Sequence, residues 1–143
     1  MVSTRSAFYS RAMTSRIMSI PIDCADPRRL ADFWADVLGW EITATGWQRT
    51  EHGRDGACIA AKGGGPFEID FRWVPDPTTS VKSRLHLDIN PTDRDQAAEL
   101  ERLLELGATP VDVGQGAEVS WHVLADPEGN VFCLCRDRMA PLS

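Results

Sequence analysis

The chain has 143 residues, 43% of them hydrophobic and 25% charged, which suits one soluble domain large enough to bury a core. Its net charge of −6 speaks against nucleic acid or an anionic membrane as a partner, since both need a basic face, and no apolar run is long enough to span a bilayer. The four cysteines form no CxxC pair and follow no secretory leader, so reduced thiols in the cytoplasm are expected.

The first sixteen residues carry Arg5, Arg11 and Arg16, several serines, no acid and no apolar period. Residues 1–15 are therefore expected as a disordered tail ahead of a single domain over 16–143. From Arg16 to Asp23 the chain alternates, with Met18, Ile20 and Ile22 on one face, which predicts a strand. Asp26 then offers an N-cap and Pro27 a first helical residue without a wasted N–H. Leu30, Phe33, Trp34, Val37 and Leu38 recur at helical spacing, and Gly39 supplies a left-handed stop. Three strands are expected next, over Trp40–Ala44, Ala57–Lys62 and Phe67–Trp73, with a Pro-rich linker from Val74 to Ser83.

The pattern then repeats. Arg84–Asn90 alternates with Leu85, Leu87 and Ile89 on one face, and Thr92 is the expected cap of a second helix with Asp93 and Asp95 in its first turn. Ala97, Leu100, Leu103 and Leu104 make its apolar stripe and Gly107 ends it. Strands over Ala108–Val113, Val119–Ala125 and Val131–Arg136 complete the series, the last two joined by the turn Asp126–Asn130. The order is β-α-β-β-β twice, in modules 16–74 and 84–136. That is an α+β duplication of one supersecondary unit, whose helices can pack on one side and leave the other sheet faces curved around a cavity.

That duplication, with DPRRLADFWADVLGW after the first strand, HLDI opening the second module and LADPEGNVF near the end, resembles the vicinal oxygen chelate superfamily (glyoxalase, bleomycin resistance protein, dioxygenase), in its glyoxalase-like domain branch. The resemblance implies eight strands in two half-barrels with the helices outside, a sheet-lined cup for a small organic molecule and a homodimer. In metal-using members it implies a His on the first strand, a His on the fifth and a Glu on the eighth. Those positions here are Ser19, His86 and Cys133. Only His86 keeps the expected residue, so no metal and no other cofactor is expected. His86, Asp88 and one of Glu68 or Asp70 form the conceivable substitute set.

Without a metal, His86 is the candidate catalytic base, or else a hydrogen-bonded wall of the cup. Strand alternation puts Glu68, Asp70 and Arg72 opposite the apolar face of Phe67, Ile69 and Phe71. The candidate ligand-binding residues are Ser19, Glu68, Asp70, Arg84, His86, Asp88, Trp121 and Cys133. His52 reads as exposed in a charged loop, and only one of Trp121 and His122 can face the cup. Trp34 is expected in the core. Trp40, Trp47, Trp73 and Trp121 could each stack on a planar ligand, Trp121 foremost because it follows the loop GQGAEVS. Three readings follow: a metal-free binder or enzyme, a metal-dependent lyase, isomerase or dioxygenase with non-standard ligands, and an interaction module whose cup has filled in.

Overall fold

The computed structural model describes residues 15–45, 56–77 and 81–142. The expected tail lies outside them except for Ser15, as do Trp47 and His52. Strand β1 (Ser19–Cys24) leads into helix α1 (Pro27–Leu38), and β2 (Glu41–Thr45), β3 (Ala57–Ala60) and β4 (Glu68–Trp73) complete a sheet of order β1-β4-β3-β2. The second half runs β5 (Leu87–Ile89), α2 (Gln96–Leu106), β6 (Thr109–Pro110), β7 (His122–Ala125) and β8 (Val131–Leu134), with sheet order β5-β8-β7-β6. In each sheet the first strand pairs in parallel with the last and the other pairs are antiparallel. The duplicated α+β architecture is thus two four-stranded sheets with one helix each, and neither sheet closes into a barrel. Among the described residues no helix is long and apolar enough to cross a membrane.

Helix α1 forms where its signals lie. Asp26 accepts a hydrogen bond from the Arg29 N–H at 3.1 Å, and Gly39 takes φ +65°, a conformation that costs an L side chain about 1–2 kcal/mol. Its stripe of Leu30, Phe33, Trp34 and Val37 is buried against Ile59, Ile69 and Phe71 from the first sheet. The same core takes in Leu103, Leu124, Phe132 and Leu134 from the second module, so one continuous interior serves both halves.

The modules are knotted together by polar contacts as well. The Trp34 indole donates to Asp126 Oδ2 at 2.9 Å, where both residues are almost fully buried. The other oxygen, Oδ1, accepts the backbone N–H groups of Glu128 and Asn130, and the Asn130 amide reaches both. Glu128 returns the favour to the first module by accepting the backbone N–H groups of Ala25 and Asp26 at 2.6 and 3.0 Å. Arg102 on α2 forks onto Glu99 at 2.7 and 2.9 Å and also donates to the carbonyls of Asp36 and Val37 at the end of α1.

Three local expectations give way to longer-range contacts. Helix α2 is capped by Asp95, which accepts from the Ala98 N–H at 2.8 Å, and not by Thr92. Thr92 instead sits in a bend ahead of the helix: its carbonyl accepts the Arg138 guanidinium, Pro91 accepts the Met139 N–H, and Asn90 donates to Asp137. Strand β5 is only three residues long, and Leu85, expected on its buried face, is 86% exposed. Strand β6 covers only Thr109–Pro110, with one further bond from the Val111 N–H to the Val123 carbonyl at 3.0 Å, and residues 111–121 form a loop where the strand ending at Ala125 was expected to begin at Val119.

Candidate functional site

The alternation of each strand separates a core-facing row from an outward row. On β8, Phe132 and Leu134 enter the core, so Val131, Cys133 and Cys135 face the other way. On β7 Val123 does the same, and register places it beside Cys133, which in turn pairs with Asp88 on β5. These outward residues line a cavity of about 420 Å³ together with Lys82, His86, Arg136 and the loop residues Val113–Gln115, Ser120 and Trp121. That volume suits a small organic molecule.

The rim loop is shaped by its own side chains. Gln115 Oε1 accepts the Val113 N–H at 2.8 Å while its amide donates to Val111, and Asp112 accepts the Gly114 N–H. Gly114 turns at φ +85°. Trp121, 42% exposed, lies at the wall, and His122, one residue on, does not line the cavity.

Of the eight expected ligand-binding residues, His86, Asp88, Trp121 and Cys133 come together here. Ser19, Glu68 and Asp70 lie on the first sheet, where Ser19 pairs with Glu68 across β1 and β4, and Arg84 is exposed outside the cavity lining. Sequence reasoning passed over Lys82, Arg136, Cys135 and the three valines. The period-two pattern of β8 carried the signal for Cys135 and Val131, whereas Lys82 sits in the stretch read as linker. Of the other described tryptophans, Trp34 is core, and Trp40 packs edge-on against Phe67 with ring centres 5.9 Å apart. Among the described residues, Trp121 is the one tryptophan that lines the cavity.

Potential metal ligands fall into two groups among the described residues, His86–Asp88–Cys133 and Cys58–Glu68–Asp70, with donor atoms in each group within 4.8 Å of one another. The substitute set expected from sequence is thereby divided, since His86 and Asp88 meet Cys133 and not Glu68 or Asp70. Neither group fits an oxygen-chelating divalent ion well. His86 Nδ1 is already 2.9 Å from Asp88 Oδ1. Burial first, and the Asp88 charge second, push the Cys133 thiol above its ordinary pKa. Burial and neighbouring carboxyl groups push Cys58 to about 12, and its thiol donates to Glu68 at 3.2 Å. A sulfur ligand suits soft metals, and each set offers a hard cation few oxygens. All four cysteines are free.

The family model described as a glyoxalase-like domain matches residues 19–135. A fosfomycin resistance protein, FosX, from Listeria monocytogenes shares the fold at TM-score 0.64 and 14% identity, over 87% of this chain and 93% of that one. The same FosX has also been crystallised with Mn(II) and a sulfate ion. TnmS3, an antibiotic binding protein from Streptomyces sp. CB03234, is similar at TM-score 0.56 and 24% identity, over 87% and 98% of the two chains. A glyoxalase/bleomycin resistance protein from that Streptomyces is 26% identical at TM-score 0.51, over 85% of this chain and all of that one. No protein of curated function matches the chain.

Proposed function

The chain belongs to the glyoxalase-like domain family, and from that premise we propose that it is a cytoplasmic, metal-independent binder of a small organic molecule. The observation that carries this reading is the open cavity of about 420 Å³, walled by Trp121 and the side chains of Val113, Val123 and Val131. Such a lining gains affinity by removing apolar surface from water, at about 25 cal/mol per Å² before ordering costs are met. The His86–Asp88 pair at 2.9 Å then acts as a polar wall that orients the ligand. A chain 26% identical is described as a glyoxalase/bleomycin resistance protein, and TnmS3 as an antibiotic binding protein, which is in keeping with sequestration.

A metal-dependent lyase, isomerase or dioxygenase is the second reading, favoured by one observation, the clustering of His86, Asp88 and Cys133. Elemental analysis of protein purified without added metal separates the two. The binder reading expects far less than one equivalent of nickel, zinc, manganese or iron and an unchanged Tm after chelator treatment. Stoichiometric metal that disappears in His86→Ala would reverse the order of the two readings. The proposal includes a homodimer, for which sedimentation equilibrium is the direct measurement.

A further inference from the structure

The binding reading leaves the chemistry of the ligand open, and the charges around the cavity narrow it. The chain as a whole is acidic, with a net charge of −6, yet the cavity lining holds Lys82 and Arg136 against a single carboxylate, Asp88. Asp88 is already engaged by His86. Among the described residues neither Lys82 nor Arg136 has an ion-pair partner, whereas Arg72, Arg94 and Arg102 each hold a carboxylate. The Lys82 charge is felt at the Cys133 thiol on the cavity floor, where it opposes the effect of burial. An ammonium and a guanidinium without carboxylate partners thus border the same space as the exposed face of Trp121.

We propose that the cavity selects a planar aromatic anion, its ring against Trp121 and its carboxylate or phenolate between Lys82 and Arg136. This rests on the binding reading above and adds the ligand's charge and shape. Arg136 supplies a forked donor suited to a carboxylate, and Lys82 a movable point charge. The three valines exclude water from the ring but offer nothing to a polar, non-planar solute. Both cations are solvent-exposed, so their attraction weakens as salt rises.

The test is isothermal titration calorimetry of the full chain at low ionic strength with two probes of one shape, 2-naphthoate and 2-naphthamide. The carboxylate should bind about tenfold more tightly than the amide, a difference of about 1.4 kcal/mol. The double variant Lys82→Gln/Arg136→Gln should bring naphthoate down to the affinity of the amide while leaving the amide unchanged. Trp121→Ala should weaken both. Equal affinities for the two probes, or a double variant that weakens both alike, would overturn the anion selectivity while leaving the binding reading standing. Naphthoate binding unaffected by Trp121→Ala would overturn the placement of the ring. Absence of saturable heat from either probe would overturn the binding reading and this inference with it.

Discussion

Trp34 is the residue on which the union of the two modules can be tested most directly. Trp34→Phe keeps an aromatic ring on α1 but deletes the indole N–H that reaches the buried Asp126 carboxylate at 2.9 Å. A hydrogen bond to a charged group contributes about 1.5–3 kcal/mol. The smaller ring also leaves space between Phe33 and Phe132, whose ring centres lie 5.4 and 4.9 Å from that of Trp34, at a cost on the order of 1 kcal/mol. The expected total is about 3 kcal/mol, and for a domain of this size that lowers Tm by roughly 10 °C. Urea unfolding followed by circular dichroism measures the loss, and the slope of the transition should stay constant because the same surface is exposed. A loss below about 0.5 kcal/mol would show that the buried bond does not hold the modules together and refute the reasoning.

Arg102→Leu should cost about 3 kcal/mol in the same assay, because Glu99, only 6% exposed, loses its bidentate partner while two carbonyls of α1 lose a donor. Arg102→Lys should recover less than half of that, since an ammonium cannot span the fork; full recovery would reduce the interaction to simple charge. The buried thiols Cys24 and Cys58, each pushed from 9.0 to about 12 chiefly by burial, predict an alkaline weakness. Their folded pKa lies above the unfolded one, so their stability contribution is complete below about pH 9 and is lost as pH rises towards 12. The expected slope is about 1.4 kcal/mol per pH unit for each thiol in that window. Urea midpoints across the alkaline range should fall accordingly and flatten in Cys24→Ala and Cys58→Ala, whereas a pH-independent midpoint in the native chain would contradict the burial argument.

The parts of the fold that sequence foretells are those whose determinants are local. Asp26, Pro27 and Gly39 lie within thirteen residues of one another in sequence and bound α1 where expected. Thr92 has equally good capping chemistry, but residues 137–139 take its neighbourhood for their own hydrogen bonds, and no short-range pattern announces that. The site divides in the same way. Asp88 and Trp121 follow from strand period and loop position, and Cys133 from the eighth-strand position that the family resemblance implies. The separation of Ser19, Glu68 and Asp70 from His86 depends on how the two sheets sit in space, and Lys82 enters through a segment without periodicity. The motif LADPEGNVF reads locally as a tight turn. Its Asp126 proves to be a buried acceptor for a helix nearly a hundred residues earlier, which turn propensity cannot convey.

The carboxylate of Glu128 that caps the chain just before α1 belongs to a residue made more than a hundred positions later. During synthesis, the first module leaves the ribosome with the N–H groups of Ala25 and Asp26 unsatisfied and with Trp34 uncovered by Phe132. It therefore waits, apolar stripe exposed, until the last quarter of the chain emerges. Long-range closure of this kind slows folding and prolongs the life of sticky intermediates. A stop codon placed after the linker would accordingly yield an aggregating fragment and not a half-sized working protein. The duplicated halves, alike in plan, have become obligate companions in biosynthesis.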